Sequence, residues 1–291
     1  MSDRIRTSGV SANGVEFTYL ECGSGPLALC LHGFPDSAYT WRHLLPALAD
    51  AGFRAVAPFM RGYAPTSVPA DGLFQTGALS ADANALHEAL GGDADAVLVG
   101  HDWGAPAVYG AAASSPDRWR TAVGMAVPPG GAMGAAFVTN LDQLKRSWYM
   151  FFFQHPLADL VVPADDLAFI DMIWHDWSPG YDPTTDLAHV KDCLRDPSHL
   201  QAAIGYYRAT LGAGPRHPDY DTIQDAGGGE LQQPTLYLHG RDDGCVGVEV
   251  AETARTMSPW ASVEIVDGAG HFLQLERPDV VNDLVVGFVT S

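Results

Sequence analysis

The chain has 291 residues, 47% of them hydrophobic, and its 16 basic and 35 acidic residues give a formal charge of −19 at pH 7. This length fits one large α/β domain or a domain with an insertion, and the negative charge argues against nucleic acid and anionic membranes as partners. The charge does not disfavour an uncharged small molecule and water as substrates. A net negative charge of this kind commonly serves to keep a protein soluble.

The sequence carries no targeting signal that we recognise. The N-terminal segment, residues 1–14, lacks the apolar core of a secretory signal, and no run of about 18 apolar residues suggests a membrane span. We therefore expect a cytoplasmic protein. Cys22, Cys30, Cys193 and Cys245 lack the spacing of a metal site, so free thiols in a reducing compartment are predicted. No pattern predicts a cofactor or a metal, and the oligomeric state stays open, with a homodimer as one option.

Short apolar runs alternate with helical patterns in the first half of the chain. Strands are predicted at 15–20, 27–31, 53–58, 97–99 and 121–127, and helices at 41–51, 78–90 and 105–113. Apolar strands in such an alternation predict a mostly parallel sheet that is covered by helices on both faces.

This alternation stops after Gly131. Residues 132–229 contain aromatic-rich, helix-like segments without a convincing strand. Two strands follow at 234–239 and 261–266, and the chain ends in a helical pattern at 278–289. We therefore predict an α/β core in two parts, residues 1–131 and 230–291, interrupted by an inserted helical cap, residues 132–229.

Residues 97–113 have the pattern of a strand, a sharp turn and a helix. Gly100 and Gly104 flank Asp102 in the G-x-nucleophile-x-G arrangement of a nucleophile elbow. A carboxylate with an ordinary pKa of about 3.9 is ionised at neutral pH, whereas a serine needs a base to remove its proton. Asp102 is therefore predicted to attack a saturated carbon directly, which favours epoxides or carbon–halogen bonds over esters.

Two later loops supply candidates for a catalytic acid and a histidine. Asp243 follows the strand at 234–239, and His271 follows the strand at 261–266. The chain order nucleophile, acid, histidine is the order expected of a hydrolase triad, and each residue follows the end of a strand, where α/β sites form. Asp242 is the alternative to Asp243 as the acid.

The segment His32-Gly33-Phe34-Pro35 follows an early strand and is a candidate half of an oxyanion hole. A flexible glycine and a proline with fixed φ force a particular loop path that exposes backbone N–H groups. We predict that the N–H groups of Phe34 and Trp103 form the hole, and that His32 and Pro35 lie at the pocket. An ordinary strand-to-helix turn is the alternative.

These motifs give the chain a resemblance to the α/β-hydrolase superfamily and, within it, to the epoxide hydrolases. The resemblance extends from about Gly14 to the C-terminus and is most specific at HGFP, GHDWGA, the cap segments and GAGHF. It implies an aspartate nucleophile at Asp102, a histidine–carboxylate pair at His271 and Asp243, and conversion of an epoxide to a vicinal diol through an aspartyl ester. The chain departs from many relatives at Met60, where they carry an acidic residue before Arg-Gly.

The resemblance also implies two cap tyrosines that hold and protonate the epoxide oxygen. They are matched by Tyr149 in SWYMFFFQ and by Tyr207 in GYYRA, with Tyr206 as the alternative to Tyr207. An ordinary pKa of about 10 keeps a tyrosine protonated at neutral pH, so that it can donate to a developing alkoxide. Trp174 and Trp177 are further candidates for the pocket, and packing of the cap is the alternative for all of these aromatic residues.

Two other functions remain open. A dehalogenase shares the aspartate chemistry, and the Trp103 indole is a suitable donor to a halide, but Phe34 has no polar side-chain atom for a second donor. Fluoroacetate dehalogenases place an arginine after the nucleophile, where this chain has Trp103. A binding protein without catalytic activity could use the same fold, but the complete nucleophile, acid and histidine set favours an enzyme.

Overall fold

The computed structural model describes residues 4–291, so the first three residues of the N-terminal segment considered above lie outside the described part of the chain. Residues 4–291 form eight strands, β1 (Arg6–Ala12), β2 (Val15–Gly23), β3 (Leu27–Leu31), β4 (Arg54–Pro58), β5 (Val97–His101), β6 (Thr121–Met125), β7 (Thr235–Gly240) and β8 (Ala261–Val266). No helix within this range is long and apolar enough to cross a membrane.

The same range contains fourteen α-helices, most of which lie between strands or in the cap. They are α1 (Leu44–Asp50), α2 (Thr76–Ala89), α3 (Gly104–Ser114), α4 (Ala132–Thr139), α5 (Leu141–Arg146), α6 (Trp148–Phe152), α7 (Ala158–Val161), α8 (Ala164–Trp177), α9 (Thr184–Leu194), α10 (Pro197–Leu211), α11 (Pro218–Ala226), α12 (Val248–Met257), α13 (Leu273–Glu276) and α14 (Pro278–Thr290). Two short 3₁₀ helices occupy Ala38–Trp41 and Pro116–Arg118.

All eight strands join one sheet in the order β1-β2-β4-β3-β5-β6-β7-β8. The six strands β3 to β8 are parallel, whereas β2 is antiparallel to both β1 and β4. β1 was not predicted because its alternating residues are mostly exposed or half-buried, which leaves little apolar signal at this edge of the sheet. The parallel strands place the loops after β3, β5, β7 and β8 at one edge.

The turn between β5 and α3 holds Asp102 in a left-handed conformation, with φ of +51°. A Cβ atom at Gly100 would overlap the carbonyl of Gly104, and a Cβ atom at Gly104 would overlap the carbonyl of Leu31. Both positions therefore require glycine, because backbone segments approach each other there too closely for any side chain. The strain places Asp102 at the tip of the turn.

The helices α4 to α11 lie between β6 and β7, in the stretch predicted to be the cap. Hydrogen bonds join this stretch to the core at separate places. Tyr206 Oη donates to the carbonyl of Arg61 at 2.7 Å, and Arg42 pairs with Asp186. The division of the chain at residues 131/132 and 229/230 stays a prediction, and we keep the name cap for residues 132–229.

A buried ion pair supports the loop after β4, to which Tyr206 is bonded. Arg61 is fully buried, and its Nε and Nη2 atoms donate to Asp82 Oδ2 at 2.6 Å and Oδ1 at 2.8 Å. Asn13 donates to the same carboxylate at 2.7 Å. Because every charge of this pair has a partner, its burial is compensated.

We predict that Asp82→Asn lowers the free energy of unfolding by about 3–5 kcal/mol, because it removes the buried counter-charge of the guanidinium. Urea denaturation measures this change. Asp71→Asn is the matched control, since Asp71 Oδ1 lies 3.5 Å from Nη1 of the same arginine but its side chain is 40% exposed. That control is expected to cost about 1 kcal/mol or less, and equal effects of the two variants would contradict the prediction.

Candidate active site

The two oxygens of the Asp102 carboxylate have different surroundings. Oδ1 accepts a hydrogen bond from the backbone N–H of Phe34 at 2.7 Å. Oδ2 lies 3.7 Å from Nε2 of His271. One oxygen is therefore held by the loop after β3, while the other is directed toward the histidine.

His271 is paired with the acid predicted from the chain order. Its Nδ1 lies 2.9 Å from Oδ2 of Asp243, whose Oδ1 accepts from the N–H groups of Cys245 at 2.7 Å and Val246 at 2.9 Å. Asp242 is exposed. Since the carboxylate binds Nδ1–H, the Nε2 atom is the one left for chemistry beside Asp102.

The charges around His271 decide its protonation. Burial lowers the pKa of this imidazole, but the carboxylates of Asp243 and Asp102 outweigh burial and raise the pKa to about 10. Burial raises the pKa of Asp243, and the opposite influence of His271 outweighs it, so the net shift is downward. The resting site therefore holds an imidazolium between two carboxylates, and the loss of either negative charge lowers the pKa of His271.

The second predicted donor of the oxyanion hole is the backbone N–H of the residue that follows Asp102. Trp103 directly follows Asp102 and is the N-cap residue of α3. Backbone N–H groups at the start of a helix have no partner within the helix. The loop after β3 and the start of α3 thus both bring N–H groups to the nucleophile, and the one of Phe34 contacts Asp102 Oδ1.

A cavity of about 270 Å³ contains the predicted nucleophile, Asp102, in its wall. Asp102, Trp103, Tyr149 and Tyr207 all line it. Much of the remaining wall is apolar and includes Met133, Phe137, Met150 and Val246. A mostly apolar cleft with a few polar groups at one place is the usual form of a small-molecule site.

The two cap tyrosines come from different helices and meet in this cavity. The ring centroids of Tyr149 on α6 and Tyr207 on α10 are 5.5 Å apart, and both side chains are buried. Burial raises the pKa of both hydroxyls well above the ordinary value, so both are proton donors at neutral pH. Tyr206 is outside the cavity lining and bonded to Arg61 instead.

His32, which was expected to lie in the pocket, supports the loop instead. Its Nε2 accepts from the N–H of Met60 at 3.0 Å, and its Nδ1 lies 2.9 Å from the carbonyl of Gly33. Burial lowers the pKa of His32 to about 4, so the ring is neutral. The ring is fully buried and absent from the cavity lining. It shapes the segment that presents Phe34.

Pro35, Trp174 and Trp177 are also absent from the cavity lining. Trp174 Nε1 donates to the carbonyl of Pro35 at 2.7 Å, a contact between the cap and the core. The Trp177 ring packs 4.9 Å from those of His271 and Tyr149, and its carbonyl accepts from the N–H of His271 at 3.1 Å. These residues lie outside the cavity, because their rings fill the space between the cap and the loops that carry the predicted triad.

Cys245 is a site residue that the sequence reasoning missed. It lines the cavity, and its Sγ lies 3.4 Å from Oη of Tyr149. Its position two residues after Asp243 was the available signal. Asp243, Cys245 and His271 offer ligand atoms within 4.8 Å of one another. Burial raises the pKa of the thiol, and Asp243 and His271 bind each other, so this set fits a triad better than a metal centre.

The chain is similar to known hydrolases over almost its whole length. The family profile described as alpha/beta hydrolase fold matches residues 26–278. An epoxide hydrolase of Caballeronia sordidicola is 30% identical, over 99% of this chain and 94% of that protein, and epoxide hydrolase A of Mycobacterium tuberculosis is 30% identical, over 97% and 96%. The solved structure of an epoxide hydrolase from an endophytic Streptomyces superposes with a TM-score of 0.81 at 27% identity, covering 99% of this chain and 96% of that one. The chain therefore belongs to the α/β-hydrolase fold family, as a hydrolase whose similar relatives include proteins named epoxide hydrolases.

Proposed function

We propose that the protein hydrolyses epoxides to vicinal diols through an ester between Asp102 and a substrate carbon. The observation that carries this proposal is a carboxylate at the elbow that shares one cavity with two buried tyrosine hydroxyls. The names of the similar relatives support the same reaction.

In the first step, Oδ2 of Asp102 attacks one ring carbon while the bond from that carbon to the epoxide oxygen breaks. The oxygen takes a proton from Tyr149 or Tyr207, and the second tyrosine stabilises it by a hydrogen bond. The N–H of Phe34 holds Oδ1 and thereby aims Oδ2. The proton given up by the tyrosine is replaced from the imidazolium of His271 or from solvent.

In the second step, His271 removes a proton from water, and the resulting hydroxide adds to the ester carbonyl. Esterification removes the charge of Asp102, so the pKa of His271 falls and the imidazole becomes a base. The N–H groups of Phe34 and Trp103 hold the oxyanion. The bond between the carbonyl carbon and Oδ2 then breaks, Oδ2 takes the proton held by His271 and leaves as a hydroxyl of the diol, and Asp102 keeps one oxygen from water.

The cavity also indicates the kind of epoxide. Asp102 is the only charged side chain in the described lining, and much of the wall is apolar. Burial of a charged substrate group in such a wall would be costly because nothing there neutralises it. We therefore expect an uncharged, mostly apolar epoxide of modest size.

Hydrolysis of a carbon–halogen bond is the second candidate. The Trp103 side chain is 8% exposed and lines the cavity, and an indole N–H is a suitable donor to a departing halide. Turnover of styrene oxide and of a haloalkane of similar size, measured as diol and as free halide, separates the two. We expect diol without halide; halide alone would favour the second candidate, and neither product would favour a binding protein.

We predict that His271→Gln allows the first step and blocks the second, because glutamine cannot take the proton from water. Mass spectrometry of the intact protein after exposure to the epoxide should show an increase equal to the mass of the substrate. The double variant that also carries Asp102→Ala is the control and should show no increase. An unchanged mass of His271→Gln, with the substrate consumed by the wild type, would contradict the aspartyl ester.

We predict that Tyr149→Phe or Tyr207→Phe lowers the rate of ring opening by about 10²–10³-fold, because each removes one donor to the developing alkoxide. The double variant should lose ring opening altogether. Rapid-mixing measurements of adduct formation give this rate. Tyr206→Phe is the matched control, since that hydroxyl is bonded to Arg61 outside the cavity lining. Wild-type ring opening in the double variant would remove both tyrosines from the mechanism.

A further inference from the structure

A buried glutamine joins the cap to the loop that carries the triad acid. We call residues 241–247 the acid loop. Gln143 on α5 is 1% exposed, and its Nε2 donates to the carbonyl of Cys245 at 2.9 Å while its Oε1 accepts from the N–H of Gly247 at 2.8 Å. The two ends of this amide therefore bind peptide groups on either side of Val246.

The opposite side of the same peptide stretch orients Asp243. Its Oδ1 accepts from the N–H groups of Cys245 and Val246, and its Oδ2 binds His271. The carboxylate thus takes its orientation from peptide groups whose place depends on Gln143. A displacement of residues 245–247 changes the geometry between Asp243 and His271, although Gln143 touches neither side chain.

Other residues of this part of the cap also contact the acid loop. Arg146 Nη1 donates to the carbonyl of Asp243 at 3.2 Å, and Tyr149 Oη lies 3.4 Å from Cys245 Sγ. Gln143 Nε2 further donates to Ser147 Oγ at 3.0 Å, which ties α5 to the start of α6. The loop that orients the acid therefore also contacts the tyrosine hydroxyl of the first step.

The bonds of Gln143 to the acid loop are costly to lose because both of its partners in that loop are buried. An apolar side chain of equal length would leave the carbonyl of Cys245 and the N–H of Gly247 without partners, and unpaired buried peptide groups are strongly disfavoured. The loop would have to move to find new partners. This makes Gln143 a determinant of where the loop lies and not only of stability.

We infer that Gln143 is a positioning residue that fastens the cap to the acid loop. It thereby keeps Asp243 and Tyr149 in the relative positions that the two steps of the reaction need. This inference rests on the proposed function, since both steps are those of the aspartyl ester mechanism. Gln143 is outside the cavity lining, so it acts through the loop and not on the substrate.

The test is Gln143→Met, which keeps the length of the side chain and removes all three of its hydrogen bonds. We expect adduct formation and adduct hydrolysis each to slow by about 10- to 100-fold, as for a small misplacement of catalytic groups. Rapid-mixing kinetics with a styrene-oxide-like epoxide measures the two rates separately. Gln143→Asn keeps the amide on a shorter side chain and should slow both steps less.

The pH dependence of adduct hydrolysis distinguishes positioning from lost stability. Hydrolysis needs neutral His271, so its rate rises with pH as the imidazolium loses its proton. A loosened Asp243 raises the pKa of His271 less, and the midpoint of this rise should move to lower pH in Gln143→Met. The titratable groups that face His271 are Asp243, which raises its pKa, and Asp102, which raises it only while its carboxylate is free, together with His101, His239 and Glu276.

Gln233→Met is the matched control. Gln233 is 7% exposed, and its Nε2 donates to the carbonyls of Ala112 at 3.2 Å and Pro116 at 2.9 Å, away from the cavity lining. It should lose stability and keep both rates and the wild-type midpoint. Wild-type rates and midpoint in folded Gln143→Met and Gln143→Asn would overturn the inference. A wild-type protein that forms neither adduct nor diol would instead overturn the proposed function.

Discussion

The hydrogen bond from the Phe34 N–H to Oδ1 of Asp102 is the contact on which the site depends. It makes the two oxygens of one carboxylate unequal, so that Oδ2 is left facing His271. The bond exists because the strained turn after β5 lifts Asp102 to the loop after β3, and because His32 and Met60 brace that loop from within the core. The scaffold therefore fixes the orientation of the Asp102 carboxylate, which is the proposed nucleophile.

The charges of Asp102, His271 and Asp243 explain the order of the two proposed steps. An imidazolium between two carboxylates stabilises the resting site, and esterification of Asp102 would remove one of those charges at the moment when a base is needed. The first proposed step needs a neutral proton donor, and burial keeps Tyr149 and Tyr207 of the cap protonated. Contacts such as that between Gln143 and the acid loop hold the cap, which carries these tyrosines, against the loop that carries Asp243.

Much of the fold could be predicted because its signals are local. Buried parallel strands are continuous apolar runs, so β3 has the bounds that the pattern indicated, and the α/β-hydrolase fold is confirmed. The edge strand β8 also has its predicted bounds, although only two of its 6 residues are buried. The elbow at residues 97–113 is a motif of adjacent residues. The chain order of Asp102, Asp243 and His271 needed only the positions of strand ends, since parallel strands end at one edge.

By itself, the sequence determined the aspartate at the elbow, the alternation of strands and helices, and the candidate acid and histidine. Only the tertiary structure decided between neighbours: Asp243 is buried against His271 while Asp242 is exposed, and Tyr207 lines the cavity while Tyr206 bonds to the core. It also placed Trp174, Trp177 and His32 behind the cavity wall. The physical reason is that adjacent residues have the same local pattern, and the side that each one faces depends on the packing of elements far apart in the chain.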